Sequence, residues 1–244
     1  MNPYKEDLKK AVSFFWKTRE AQGNKQGKET GVKDYGNRSL VTGGAQLNGF
    51  IELFAKIARD SGLEDSAIIT KETTLPGYFR PTKEWDLLLI SEKQLIASIE
   101  FKSHVGPSFG NNFNNRVEEA LGTATDILTA YRNGVFGSQP KPWTGYFLLL
   151  ESHPKSLSPV KNREPYFKTS KEFHNASYAD RYKEFCKRLV RERLYDSSCL
   201  LIASSDQGRK GIFEEVDAEI NSNTFIASLI GRITAYKEKR KFDL

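Results

Sequence analysis

The period of the apolar positions changes several times along the chain, and each change marks an element. Pro3 to Glu20 carries Ala11, Val12, Phe14, Phe15 and Trp16, which predicts a first helix. Gly23 to Gly44 is glycine-rich and polar without periodicity, and reads as a loop. Ala45 to Asp60 places Leu47, Phe50, Ile51, Phe54, Ile57 and Ala58 at three-to-four spacing, as an amphipathic helix with one buried face requires. Glu84–Ile90 and Leu95–Ser103 are predicted strands, and the connection Ser91–Gln94 is short enough for an antiparallel hairpin. Further along, the pattern predicts a helix over Arg116–Tyr131, a strand over Trp143–Glu151 and an irregular stretch over Ser152–Tyr178. A helix over Ala179–Tyr195, a strand over Ser198–Ser204 and a last helix over Ser222–Lys237 complete the chain. This order predicts an α/β fold with a mixed central β-sheet flanked by helices. No repeat or linker divides residues 1–244, so they read as a single domain, with the N-terminal helix and loop (1–44) as an elaboration.

A chain of 244 residues, 38% hydrophobic and 28% charged, can bury a full core and is not disordered. It has no apolar run near the ~18 residues of a membrane span. Met1–Lys10 lacks the apolar segment of a signal peptide, so a cytoplasmic location is expected. Cys186 and Cys199, with His104, His153 and His174, give no zinc-site spacing. The net charge of +6 favours a polyanionic partner, of which DNA is the common one. Arg38, with Lys25, Lys28 and Lys33, lies in the glycine-rich stretch, as a phosphate track or as ordinary solvated surface.

The sharper signal is Asp86 followed by Glu100-Phe101-Lys102, where Glu-x-Lys occurs once in the chain. Alternation along a strand puts Glu100, Lys102 and His104 on one face. If Glu92, Lys93 and Gln94 form a three-residue loop, Asp86 lies opposite Glu100, about 4.5–5.5 Å away at Cβ. Two such carboxylates repel unless a hard cation lies between them. Mg2+ suits an oxygen each from Asp86 and Glu100, the Phe101 carbonyl, waters and a phosphate oxygen. Lys102 beside it would orient the attacking water and offset charge building at phosphorus. The bland alternative is an edge strand whose Glu and Lys simply face water. This is the acid–(D/E)xK pattern of PD-(D/E)xK nucleases, with Trp85 where proline is common.

Val41-Thr42-Gly43-Gly44, Pro76 to Lys83 (PGYFRPTK) and Lys102 to Arg116 (KSHVGPSFGNNFNNR) resemble the XhoI family of type II restriction endonucleases, with weaker similarity over most of the chain. The resemblance implies a restriction-endonuclease-like core and the triad Asp86, Glu100 and Lys102. It implies cleavage of double-stranded DNA at CTCGAG, between the first C and T, leaving four-base 5′ overhangs, and a companion methyltransferase. A palindromic target suggests a two-fold homodimer. Glu52, on the helix before the hairpin, is a candidate assisting acid, or a solvated helix-surface glutamate. His104 shares the catalytic face, or is a satisfied structural histidine. Asn111, Asn112, Asn114, Asn115 and Arg116 precede the predicted helix and have the chemistry to read bases, while Asn114 or Asn115 also suits an N-cap. Arg80, Lys83, Arg38, Gln46 and Asn48 are further candidate DNA contacts, Arg80 and Lys83 the best placed. Rival functions are a repair or junction-resolving nuclease on the same fold and a non-catalytic DNA-binding module.

Overall fold

The structure, a computed structural model, describes residues 2–30 and 44–242, leaving Arg38 outside the described residues. Helix α1 (Lys5–Thr30) runs about ten residues past its expected end. Its extension carries Gln22, Lys25, Gln26, Lys28 and Glu29, whose helix propensity outweighs the ~1 kcal/mol cost of each glycine. A single turn at Ala45–Leu47 leads into α2 (Asn48–Asp60). The strands are β1 (Ile68–Ile69), β2 (Thr74–Pro76), β3 (Thr82–Glu84), β4 (Leu87–Ser91), β5 (Gln94–His104), β6 (Trp143–Glu151), β7 (Ser197–Ala203) and β8 (Glu214–Glu215). Helices α3 (Gly110–Arg132), α4 (Pro154–Leu157), α5 (Tyr178–Arg191), α6 (Ser205–Arg209) and α7 (Ser222–Phe242) complete the set.

A six-stranded sheet runs β1-β4-β5-β6-β7-β8, while β2 and β3 form a separate two-stranded ribbon. β5, β6 and β7 are parallel and the other pairs antiparallel, so the sheet is mixed, as the order of elements predicts. β6 shows why helices must cover both faces. Phe147 and Leu149 join one core with Phe15, Phe50, Phe54 and Phe225. Tyr146, Leu148 and Leu150 join a second with Phe113, Tyr182 and Leu200. A near-continuous apolar run is what a parallel strand buried on both faces needs. Leu8, Val12, Phe15 and Trp16 of α1 belong to the first of these cores.

The β4–β5 hairpin departs from the expected turn yet reaches the expected register. The loop has two residues, Glu92 and Lys93, both at positive φ (51° and 64°) as a type I′ turn requires. Ser91 pairs with Gln94 and Ile90 with Leu95, but Leu89 then pairs with Ala97, leaving Ile96 as the extra residue of a β-bulge. Beyond the bulge Leu88 opposes Ser98 and Leu87 opposes Ile99, so the next step outward sets Asp86 beside Glu100. The bulge restores the offset that the shorter turn removes.

The predicted strand Glu84–Ile90 is also interrupted. Thr82–Glu84 pairs with Thr74–Pro76, and Asp86 occupies the bend between β3 and β4. Trp85 is buried there and its N–H donates to the Thr73 carbonyl at 3.0 Å. Proline has no N–H to give, which explains its absence before the acid here.

Candidate active site

Glu100 is buried mid-strand on β5, and two ammonium groups converge on it. Lys83 Nζ, from β3, donates to Oε2 at 2.8 Å, and Lys102 Nζ forms an ion pair with Oε1. Asp86 Oδ2 accepts the Phe101 N–H at 2.7 Å. That N–H lacks a strand partner because β4 begins only at Leu87, opposite Ile99. A strand residue directs its N–H and C=O to the same side, so the Phe101 carbonyl faces the same open edge. Phe101 itself points the other way, into an aromatic cluster with Phe50, Phe54 and Phe147 at centroid separations of 5.5–6.4 Å. One strand thus anchors the core with Phe101 and presents Glu100 and Lys102 from its opposite face.

The two carboxylates are shifted in opposite directions. Burial, then the like charge of Glu100, raises the Asp86 carboxyl to about 6. Burial pushes Glu100 up as well, but Lys102 and Lys83 outweigh it and hold Glu100 below the usual range. Burial works against the Lys102 ammonium, yet Glu100 and then Asp86 keep its pKa above the ordinary lysine value.

The residues fit a divalent cation of the hard type. Among the described residues no group of three or more His, Cys, Asp and Glu side chains gathers as a metal cage. The oxygen donors here are two carboxylates and a main-chain carbonyl, and Mg2+ characteristically uses one or two carboxylates and completes its shell with waters and substrate phosphate. A further oxygen is unclaimed. Gln46 is 4% exposed and its Oε1 has no hydrogen-bond partner among the described residues, although it lines the same cavity as Asp86 and Phe101. A buried acceptor without a partner costs about 1–3 kcal/mol, so a site that fills it with a water or ion gains by doing so.

Two cavities meet at this point. One, of about 530 Å3, is bordered by Phe79, Arg80, Lys83, Glu100, Lys102 and Arg116. The other, about 310 Å3, contains Arg19, Gln46, Asp86, Lys102 and Arg116. Lys102 and Arg116 line both. Arg116 gives Nη1 to Glu119 at 2.6 Å, while its buried Nε has no partner among the described residues.

The other expected residues divide. Arg80 and Lys83 reach the site, though both are tethered, Lys83 to Glu100 and Arg80 Nε to Asp126 Oδ2 at 2.9 Å. His104 lines the cavity with Asp86 and Lys102. It is buried, its Nε2–H donates to the Ser108 carbonyl at 3.0 Å, and its Nδ1 accepts from the Tyr182 hydroxyl at 2.6 Å. A carbonyl can only accept, which fixes that tautomer. Burial lowers the His104 pKa, which favours the neutral ring. The asparagines do not precede the helix, because α3 begins at Gly110, and Asn114 and Asn115 are inside it and cap nothing. Asn111, Asn112, Asn114 and Asn115 are exposed, with Asn112 Nδ2 donating to the Ser108 carbonyl at 2.8 Å.

Glu52 is set apart. It is exposed on α2, in a groove with Asp7, Lys10 and Lys56 that faces α1. The helix turns its Phe50, Leu53, Phe54 and Ile57 to the sheet and Glu52 into the groove facing α1, whereas Gln46 from the preceding turn lines the cavity with Asp86. Glu52→Ala should leave DNA cleavage unchanged and shift stability by less than about 0.5 kcal/mol, measured by urea unfolding.

Sequence reasoning missed Arg19 and Asp126. Arg19 on α1 lines the Asp86 cavity, and burial lowers its pKa, partly countered by Glu151. Asp126 is 4% exposed on the buried stripe of α3, in register with Thr123, Ile127 and Ala130. An acid at an apolar-stripe position was the available signal.

A mixed sheet whose bent hairpin brings two acids and a lysine to one edge defines the restriction-endonuclease-like class of enzymes. The comparisons with known proteins narrow this. The model of restriction endonuclease XhoI matches residues 25–215. The type II restriction enzyme BstVI of Geobacillus stearothermophilus is 47% identical over 212 residues, covering 84% of this chain and 95% of the relative. The type II restriction enzyme XhoI of Xanthomonas vasicola is 45% identical over 183 residues, covering 73% of this chain and 72% of the relative. The type II restriction enzyme AbrI of Azospirillum brasilense is 46% identical over 170 residues, 69% of this chain and 76% of the relative. No solved structure matches. The chain belongs to the XhoI restriction endonuclease family, and it is a type II site-specific deoxyribonuclease.

Proposed function

We propose that this enzyme uses Mg2+ to hydrolyse both strands of DNA at CTCGAG, cutting between the first C and T to leave four-base 5′ overhangs. The observation that carries the chemistry is the β4–β5 register, which sets Asp86 beside Glu100 with the Lys102 ammonium against Glu100. The target sequence rests on the family resemblance. Asp86, Glu100 and the Phe101 carbonyl would hold the cation. When bound, Mg2+ supplies Lewis-acid charge to the phosphate and acidifies water.

This chain's own groups do the rest. Lys102 orients the attacking water and faces the charge that builds on the phosphate oxygens. Arg116, with an unused Nε, and Arg80, half-exposed beyond its Asp126 tether, bind backbone phosphates on either side. The exposed Asn111, Asn112, Asn114 and Asn115 face outward from the first turns of α3, beside Arg116, and are the candidates for reading bases. Two chains related by a two-fold axis serve the two strands of the palindrome, and a methyltransferase of matching specificity protects the host's own sites in the cytoplasm.

The test is run-off sequencing of plasmid ends produced with Mg2+, and with EDTA in its place. The expected result is discrete fragments ending in TCGA overhangs with Mg2+ and intact plasmid with EDTA. Smears, structure-dependent nicks or cleavage in EDTA would remove the reading.

A further inference from the structure

The ribbon β2–β3 ends in a loop whose construction the hydrolytic chemistry does not use. Phe79 and Tyr78 at its tip are 69% and 50% exposed. The rings stand edge to face, with centroids 5.0 Å apart and planes at 80°. Exposed aromatics usually sit on a backbone free to fold them away, but here the backbone is held from below. The Tyr78 and Phe79 N–H groups both donate to Asp126 Oδ1 at 2.8 Å, and Arg80 Nε donates to Oδ2 at 2.9 Å. Gly77 N closes the loop on the Pro81 carbonyl at 3.2 Å. A Cβ on Gly77 would lie 2.5 Å from Asp126 Oδ2 and 2.6 Å from the Arg80 carbonyl, so the loop is drawn against the carboxylate as closely as a glycine allows. A buried acid therefore rigidifies a segment that presents two rings to solvent.

The location narrows what those rings meet. Phe79 lines the cavity that holds Glu100 and Lys102, and it is the one apolar side chain among lining residues in which Arg80, Lys83, Lys102 and Arg116 are balanced by Glu100, Glu118, Glu119 and Asp126. On the nuclease reading the molecule that enters this cleft is DNA, and the part of DNA with a face for an aromatic ring is the nucleobase.

We infer that Phe79, buttressed by Tyr78, stacks on a base of the target beside the scissile phosphate, as a preorganised reader of base-step geometry. This rests on the nuclease reading above. Stacking on a base contributes about 1–3 kcal/mol, which converts to about 5- to 150-fold in kcat/KM. A rigid loop loses no ordering entropy on contact, and steps that unstack readily favour this contact over stiff ones.

The experiment compares wild type with Phe79→Ala, Phe79→Leu and Phe79→Trp. The duplex carries the run-off-mapped target with 2-aminopurine at successive positions, and cleavage rate and melting temperature are read in parallel. Wild type is expected to change the fluorescence at one base position, next to the cut. Phe79→Ala and Phe79→Leu should abolish that change and lower kcat/KM about 5- to 150-fold. Phe79→Trp should retain both, and all four melting temperatures should agree, because the ring is exposed. Wild-type cleavage by Phe79→Leu overturns the inference, since an apolar group without a stacking face then suffices. A Phe79→Ala protein that loses activity only by shifting from dimer to monomer on gel filtration also overturns it, and assigns the rings to a second copy of the chain. If wild type cuts duplex DNA while Phe79→Ala cuts equally well, stacking alone falls. If wild type cuts no DNA, the nuclease reading falls and takes this inference with it.

Discussion

Glu100→Ala should lower the rate of Mg2+-supported DNA cleavage by about 10³-fold or more without weakening DNA binding. Glu100 is the hub of the site, with an ammonium on each carboxylate oxygen and Asp86 opposed across the hairpin. Its removal takes away one of two carboxylates that would hold the cation, so both the Lewis acid and the position of water suffer together. The sign for binding is opposite. A phosphate-binding surface loses a negative charge, while Lys83 and Lys102, both partly exposed, become free to meet phosphate. In EDTA, Glu100→Ala should therefore bind target duplex as tightly as wild type or tighter, by gel shift. Lys102→Ala should also lose cleavage, by about 10²- to 10³-fold, but should bind DNA more weakly than Glu100→Ala because it removes a cation. Wild-type cleavage by Glu100→Ala would end the mechanism. Loss of binding in both variants would mean that the buried Glu100–lysine cluster serves folding.

The parts of the fold legible beforehand were those whose hydrophobic pattern is strong. β6 and β7 are near-continuous apolar runs, and α2 keeps a strict three-to-four spacing, so tertiary packing and local pattern agree. The segments β1, β2, β3 and β8 are two or three residues long, too short for a period to register. The start of α3 was hidden for a different reason. Four asparagines favour caps and turns locally, yet Phe113 turns inward against Tyr182 and fixes the segment as helix. The opposition of Asp86 and Glu100 followed from strand alternation, but the turn assumed for it was one residue too long. A β-bulge at Ile96, which no local signal marks, makes up the difference. The assisting residue near α2 was sought as an acid at Glu52, because charge is visible in sequence. Gln46 owes its place to the turn that precedes the helix, and the direction of a turn is not written in its composition.

Asp126 lay in view as a charged residue on an apolar stripe, and the structure gives it the second-largest expected effect. Asp126→Ala removes the acceptor of two backbone N–H groups and of Arg80 Nε at one stroke. Hydrogen bonds to a carboxylate contribute about 1.5–3 kcal/mol each, but they do not add, and Arg80 is 41% exposed and screened by water. A loss of about 2–4 kcal/mol in urea unfolding at pH 7 is expected. The loop would also release Arg80 and the rings beside the cleft, and a shift of about 1 Å in a positioning group costs about 10²-fold in rate. Asp126→Asn should be milder, because one oxygen still accepts the Tyr78 and Phe79 amides while its new N–H group faces Arg80. The pH dependence has a definite sign. Burial raises the Asp126 pKa, but the Phe79 and Tyr78 amides and then Arg80 outweigh it and hold the folded-state value below that of an ordinary aspartate. The stabilisation is therefore complete above the unfolded-state value of about 3.9 and is lost as pH falls through the lower folded-state value. The gap in stability between wild type and Asp126→Ala should accordingly be full at pH 7 and should narrow only below about pH 4. A gap that is absent at pH 7, or that widens in acid, would show that the carboxylate does not hold the loop.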